Sequence, residues 1–256
     1  IIPNAISWRC ISVGNMFTVS RLMETKSVYG WNVADTLKND GTYTTDNNNV
    51  DVHLMKNIEW GTIAYLSKSS YGKNTDKIWI NNNQNFVTGC SGNSVSASGY
   101  DGCQNEHYTT NGVQASTTGS IYGIYDLNGS AWEHTSAYLN NGNANLTLNG
   151  LSITNADNKY KDVYSKGVTD TRPNNYLLAI NKKGDAIYEI SSSGDDGLYG
   201  WFAEYSDMPN TSIPWLIRGG RFGNTNISGT FFLSSMYGLP DNRATFRPVL
   251  LVGTDF

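Results

Sequence analysis

The sequence predicts a compact, loop-rich fold with short strands and few helices. The chain of 256 residues is long enough to bury a sizeable core. It contains 26 Gly and 31 Asn, residues that tolerate the positive φ angles of turns. It also contains 16 Tyr, 7 Trp and 8 Phe, which supply large side chains for packing between those turns. The Asn excess is explained equally well by nucleotide bias in an AT-rich genome.

Charge and hydropathy exclude two classes of partner. The 18 basic residues are outnumbered by 22 acidic residues, so the net charge is −4, whereas nonspecific nucleic-acid binding needs clustered positive charge. No apolar run reaches the roughly 20 residues of a membrane-spanning helix. Residues 1–256 are predicted to form one domain, since no internal repeat or linker divides them. Because the chain starts at Ile1 without Met, we expect that an N-terminal anchoring or assembly segment is missing.

Periodicity predicts one clear helix and several strands. Residues 51–66 place apolar side chains on one helical face, with Asp51 as the N-cap and Tyr71-Gly72 as the stop. Strands are predicted for residues 11–19, 176–180, 186–190, 215–222 and 244–252.

Three cysteines bear on the redox compartment. Cys90 and Cys103 lie in similar Gly-Cys contexts on either side of a Gly/Ser stretch. A disulfide closing that loop would imply an oxidising compartment, and two unrelated thiols are the alternative. Cys10 is expected to be buried.

The sequence contains no phosphate-binding glycine loop and no nucleophile elbow. Its three histidines are far apart, and His134 is predicted to be a packing residue rather than a catalytic one. Asp126 and Glu133 bracket a tight turn at Asn128-Gly129. Two carboxylates with nearby backbone carbonyls suit Ca²⁺, while an ion pair between Glu133 and an arginine is the alternative.

Four ordered motifs carry a family resemblance. Residues 123–135 read GIYDLNGSAWEHT, residues 57–64 read NIEWGTIA, residues 218–222 read RGGRF, and residues 245–248 read TFRP. In this order they resemble the motifs GLYDMxGNVWEW, EAEWEYAA (a helix), RGGSW and GFR of the formylglycine-generating enzyme (sulfatase-modifying factor) superfamily. The resemblance spans about three quarters of the chain. It implies an α+β, C-type-lectin-like fold with short twisted strands, few helices and much irregular structure.

The resemblance does not extend to the catalytic residues of that superfamily. Its enzymes use a pair of cysteines shortly after the RGG motif, and residues 221–231 contain no Cys. Three scattered histidines also fail to supply the His cluster of the iron-dependent relatives. The chain is therefore expected to have no enzymatic activity, with an oxidoreductase of altered chemistry as the least favoured alternative.

Residues 219–248 are similar to the variable region of diversity-generating-retroelement target proteins of gut bacteria and phages. In such proteins one exposed face of a fixed lectin-like scaffold varies and binds ligand. Phe222, Ser228 and Thr245 depart from the pattern, which has Trp, Ala and Gly at those places. Aromatic, Arg and Asn side chains are also typical of binding surfaces. The predicted ligand-binding residues are Arg221, Phe222, Asn224, Asn226, Phe232, Met236, Tyr237, Asn242 and Arg243. Phe231 and Phe246 are expected in the core.

These motifs imply a partner and a location. We expect a protein or glycan ligand on a host or target cell surface, and a protein that is extracellular, on a bacterial cell surface or on a phage virion. A homo-oligomer is allowed, and a structural tail, collar or pilus subunit is the main alternative. The resemblance also places structural Ca²⁺ at the Asp126 and Glu133 side chains and at the Gly129 and Ala131 carbonyls.

Overall fold

The computed structural model describes residues 7–25, 36–44, 50–82, 105–190 and 198–253. Within these ranges the protein belongs to the α+β class, as predicted, with few helices and a mixed sheet of short strands. Cys90 and Cys103 lie outside the described residues. Cys10 is exposed rather than buried, so that expectation is wrong.

In the described ranges four α-helices pack around the sheet: α1 (Val13–Leu22), α2 (Asn57–Ser67), α3 (Ala144–Asn155) and α4 (Arg172–Ala179). None of the helices within the described ranges is both long and apolar enough to cross a membrane.

Two predicted strands are helices instead. Residues 11–19 were expected to be a strand, yet α1 starts there because the Ser12 side chain caps its first turn and the residues spaced along one helical face are buried. Residues 176–180 fall in α4, where Pro173 at the first turn favours a helix start. Residues 186–190, also predicted as a strand, form turns.

The part of the chain that the structure describes also contains nine short strands: β1 (Val50–Leu54), β2 (Trp132–Asn140), β3 (Asp162–Ser165), β4 (Leu198–Tyr199), β5 (Tyr205–Ser206), β6 (Trp215–Gly219), β7 (Gly229–Met236), β8 (Ala244–Phe246) and β9 (Pro248–Val252). The predicted helix at 51–66 is therefore two elements. Its first residues form β1, which pairs antiparallel with β9, and α2 begins only after Lys56. The predicted strand at 215–222 is confirmed as the shorter β6, and the one at 244–252 divides into β8 and β9.

Seven strands form the main sheet in the order β3-β2-β6-β7-β5-β4, with β8 also pairing with β2. Alternate residues of β2 and β6 face opposite sides. Tyr138 and Trp215 pack with α1 and α3, whereas Leu139 and Leu216 pack with α4. Trp60 of α2 heads a third apolar cluster with Leu127 and Phe231. Helices thus cover both faces of the sheet, and surface loops lie at the ends of its strands.

Candidate functional site

The loop after β6 leaves the sheet over a buried arginine. Arg218 Nε donates to Asn57 Oδ1 at 2.7 Å, and Arg218 Nη2 donates to the Asp185 carbonyl at 2.7 Å. The next residue, Gly219, has φ +83°, and a Cβ there would lie 2.8 Å from the Leu127 carbonyl oxygen. Only glycine fits this close approach without strain. The start of the loop is therefore fixed from beneath.

A buried ion pair lies at the start of β2. Arg247 Nη2 donates to Glu133 Oε1 at 2.7 Å and Arg247 Nε donates to Oε2 at 3.1 Å, a bidentate pair. Burial acts to lower the pKa of Arg247, but the charges of Glu133 and Asp126 raise it above its usual value. This geometry matches the alternative in which Glu133 pairs with an arginine.

Three of the four predicted calcium ligands line one cavity, and Gly129 does not. Asp126, Ala131 and Glu133 line a cavity of about 160 Å³, with Trp8 at its wall. Asp126 Oδ1 accepts a hydrogen bond from Asn81 Nδ2 at 2.6 Å. The Gly129 N–H donates to the Gly219 carbonyl at 3.1 Å, which holds the turn against the β6 end.

These residues do not fit a calcium ion well. Both oxygens of Glu133 already face a guanidinium, so Ca²⁺ would have to displace Arg247 from a buried bidentate pair. Within the described residues no three His, Cys, Asp or Glu side chains cluster as metal ligands. Calcium at Asp126, Gly129, Ala131 and Glu133 therefore stays a prediction, which the Glu133–Arg247 pair disfavours.

The exposed end of the sheet carries an aromatic ring with two guanidinium groups over it. The carbon at the centre of the Arg221 guanidinium lies 4.9 Å from the Trp132 ring centroid, and that of Arg243 lies 5.2 Å from it. The Arg221 group also lies 5.2 Å from the Phe222 ring. Contacts of this length are cation–π interactions. We call Trp132, Arg221, Phe222 and Arg243 the tryptophan–arginine cluster.

The charges of the cluster are only partly balanced. Asp241 forms a bidentate pair with Arg243, with Oδ2 to Nη2 at 2.7 Å and Oδ1 to Nε at 3.0 Å. Its hydrogen bonds raise the pKa of Arg243. Burial and the charge of Arg243 lower the pKa of Arg221, against the weaker pull of Asp241. The cluster therefore has two guanidinium groups but one carboxylate, which is bonded to Arg243.

Asn224 positions the cluster. Its Oδ1 accepts hydrogen bonds from Trp132 Nε1 at 2.9 Å and from the Arg221 backbone N–H at 2.9 Å. It lies in a short 3₁₀ helix, Phe222–Ile227. Through these two hydrogen bonds Asn224 orients the Trp132 ring. Asn226, in the same 3₁₀ helix, is exposed.

The structure separates the predicted binding residues into two groups. Arg221 follows the Gly219 end of β6, whereas Met236 pairs with Trp215 at the opposite end of that strand. Four residue steps of a strand are about 13 Å. Tyr237, which follows Met236 and is 47% exposed, therefore lies near the opposite end of β6 from Arg221. Asn242 and Arg243, both exposed, lie on the loop that returns from Tyr237 to the cluster.

Phe232 was predicted to bind ligand, but the structure buries its side chain. It is 1% exposed and stacks on Tyr205 with ring centroids 5.5 Å apart. In β7 it belongs to the interior, so it cannot contact a ligand on this surface. Phe231 is buried as expected, and Phe246 is half-buried against the core.

Sequence reasoning missed Trp132 as a surface residue. The predicted binding residues do not include Trp132, which lies inside the GIYDLNGSAWEHT motif. The available signal was its position as the first residue of a strand, directly after the Gly129-Ser130 turn, where a side chain is often only half covered. Its neighbour His134 is a packing residue, and burial lowers its pKa to about 4.

No protein-family model matches the chain, and a search of curated proteins finds no match either. The site must therefore be interpreted from its own geometry.

Proposed function

We propose that this protein is a non-catalytic ligand-binding protein with a C-type-lectin-like fold, of the kind found in the variable proteins of diversity-generating retroelements. The ligand is a protein or glycan on a host or target cell surface. The protein acts outside the cell, on a bacterial surface or a phage virion. The face that binds comprises Arg221, Phe222, Asn226, Met236, Tyr237, Asn242 and Arg243, to which the structure adds Trp132.

The four family-like motifs meet in space, which supports this assignment. Trp60 Nε1 donates to the Thr230 carbonyl at 2.7 Å, joining the α2 motif to β7. Arg218 of the RGG motif bonds to Asn57 of the α2 motif. Arg247 of the final motif holds Glu133 of the β2 motif. Residues that are far apart in the sequence thus form one buried polar framework below the loops.

The single observation that carries the proposal is the tryptophan–arginine cluster. Trp and Arg dominate the binding energy of known interfaces, and here they are prearranged on the surface by hydrogen bonds to Asn224. Prearrangement lowers the entropy cost of binding. The absence of Cys from residues 221–231 separately favours binding over the chemistry of the related enzymes.

A display library tests the division into scaffold and variable face without a known ligand. Codons for six face residues are randomised together, and folded variants are sorted by protease resistance. The six residues are Arg221, Phe222, Asn226, Tyr237, Asn242 and Arg243. We expect most members to stay resistant. A matched library at Asn57, Glu133, Arg218 and Arg247 is expected to lose nearly all resistant members. Equal losses in both libraries would refute a tolerant face.

The DNA beside the gene tests the retroelement assignment. We expect a reverse-transcriptase gene and a near copy of the stretch encoding residues 221–243, differing from it only at adenines. A locus with neither would leave the binding proposal without its diversification mechanism. Binding itself is measured with labelled protein on a glycan array and on a panel of displayed cell-surface proteins. If the wild-type protein bound to none of these glycans and cell-surface proteins, that result would contradict the proposal.

A further inference from the structure

The geometry points to a carboxylate of a protein partner as the group that binds at Arg221. This inference rests on the proposed function and names the ligand chemistry at one place on that face.

Arg221 has no acceptor of its own within the part of the chain that the structure describes. Its Nε is buried without a hydrogen-bond partner, and Arg221 forms no ion pair there, whereas Arg243 is paired with Asp241 at 2.7 Å. A guanidinium offers five N–H donors in a planar fork that matches a carboxylate. Because Nε is closed to solvent, a carboxylate would reach the guanidinium through Nη1 and Nη2.

The surroundings fix this guanidinium in place. The rings of Trp132 and Phe222 lie 4.9 and 5.2 Å from it, and the Trp132 ring is itself held by Asn224. The Arg221 side chain therefore loses little further conformational entropy when a carboxylate binds to it.

Charge complementarity selects an anion. Arg221 and Arg243 are close enough that the charge of Arg243 lowers the pKa of Arg221, and Asp241 is the one carboxylate paired with either of them in the described ranges. The cluster is thus locally positive on a chain whose net charge is −4. An acidic side chain of the partner would supply the second counterion.

A protein carboxylate fits better than an acidic sugar. Lectin-type sugar binding stacks the ring of the sugar on an open aromatic face, but two guanidinium groups lie over Trp132. The Phe222 ring lies beside Arg221, and farther along the surface the loop that carries Arg243 exposes two more apolar side chains, Tyr237 at 47% and Leu239 at 50%. Aromatic and aliphatic groups around an arginine are typical of protein interfaces.

The test is a selection of random 12-residue peptides displayed on phage against the wild-type chain and three variants. Arg221→Glu reverses the charge, and Arg221→Gln removes it while keeping most of the side-chain volume. Lys183→Glu is the matched control, because Lys183 is an exposed cation that also lies over an aromatic ring, 4.2 Å from Tyr188. Melting temperatures establish that each variant is folded.

We expect Asp and Glu to be enriched at least twofold among peptides selected by the wild type and by Lys183→Glu. With Arg221→Glu the enrichment should change to Lys and Arg. For the best wild-type peptide, replacing its acidic residue with the amide should raise Kd about tenfold, and Arg221→Gln should have a similar effect. If Arg221→Glu does not fold, the Arg221→Gln comparison decides.

Three results would overturn the inference. Peptides that bind the face but lack acidic enrichment would remove the carboxylate and leave the proposed binding function intact. Hyaluronan oligosaccharides could instead bind more tightly than any peptide and lose that binding in Arg221→Gln. The carboxylate that binds at Arg221 would then belong to a glycan rather than to a protein. Failure of every peptide and oligosaccharide to bind would count against both the inference and the proposed function.

Discussion

Two arginines of this protein have similar aromatic surroundings and opposite hydrogen-bonding states. Arg21 lies 4.1 Å from the Tyr160 ring centroid and 5.5 Å from that of Tyr43, much as Arg221 lies over Trp132 and Phe222.

Arg21 is fully buried and fully paired. It donates to Glu24, to Asp51 Oδ1 at 3.2 Å, to the Val52 carbonyl at 2.8 Å and to the Gly41 carbonyl at 2.6 Å. Arg221 is half-buried, and its Nε has no acceptor in the described chain. The difference teaches that an arginine–aromatic arrangement alone does not identify a binding site. A satisfied arginine holds α1 to β1, whereas an unsatisfied one is available to a ligand.

The largest expected effect comes from removing the buried arginine. Arg21→Met leaves Glu24 buried without its counterion, while Asp51 keeps its contacts with His53 and Lys159, so we expect a loss of about 3–5 kcal/mol in the free energy of unfolding. Arg221→Met removes only surface cation–π contacts and should cost about 1 kcal/mol or less. Urea denaturation of both variants makes the comparison. Equal losses would erase the distinction between the two regions.

A similar contrast separates two aromatic residues of the predicted binding set. Phe232→Ala creates a cavity beside Tyr205, so we expect a loss of about 3–4 kcal/mol in the free energy of unfolding. Tyr237→Ala changes an exposed side chain and should cost within about 0.5 kcal/mol. Thermal melting of the two variants measures both effects. A Tyr237 loss as large as that of Phe232 would place Tyr237 in the core.

The pH dependence of stability sharpens the same comparison. Burial raises the pKa of Glu24 to about 7, against the opposing charge of Arg21. Between pH 4.5, the ordinary pKa of a glutamate, and about pH 7 the folded state keeps a proton that the unfolded state has released. Its contribution to stability is therefore complete below about pH 4.5 and is lost as the pH rises to about 7. Glu24→Gln should remove the contribution of Glu24 to this downward slope of the unfolding free energy, while Glu204, whose pKa burial also raises to about 7, retains its own contribution.

Asp241→Asn is the control at the exposed cluster. Hydrogen bonds from Arg243 lower the pKa of Asp241 below the ordinary aspartate value of 3.8. Its contribution is present above that value and is lost only at more acidic pH. Urea denaturation from pH 4.5 to 7 should show the wild-type slope in Asp241→Asn and a flatter one in Glu24→Gln. A wild-type slope in Glu24→Gln together with a flatter slope in Asp241→Asn would contradict the account.

The smallest expected effect concerns calcium. Because Arg247 occupies both oxygens of Glu133, millimolar Ca²⁺ or a chelator should move the melting temperature by less than about 1 °C. A ligand present at 100 times its Kd adds about 2.7 kcal/mol, which would raise the melting temperature by several degrees. A rise of that size would restore calcium at Asp126 and Glu133.

The sequence predicts local features better than pairings across the chain. The helix at the NIEWGTIA motif and the strand before Gly219 follow from nearby residues. The strand β1 does not, because its stability comes from β9, about 200 residues later. Apolar β-branched residues near Val13 also suggested a strand, and tertiary burial of one helical face prevailed.

The candidate site was predicted in the same uneven way. Residues 221–243 were identified from composition and resemblance, but burial of Phe232 depends on which face of β7 it occupies. The Glu133–Arg247 pair was only one of two options, since no local pattern shows that residue 247 returns to β2. Trp132 joined the site because β6 and β8 carry Arg221 and Arg243 to it from both sides.

The most direct test of the central claim is a ¹⁵N-resolved titration that follows the tryptophan indole N–H signals. The probe is the tightest peptide from the phage selection. We predict that the Trp132 signal shifts, because its Nε1–H is bonded to Asn224 beneath Arg221, while the exposed Trp8 and Trp201 signals stay in place. A shift confined to Trp8 or Trp201 would show that the ligand binds elsewhere and would contradict the account.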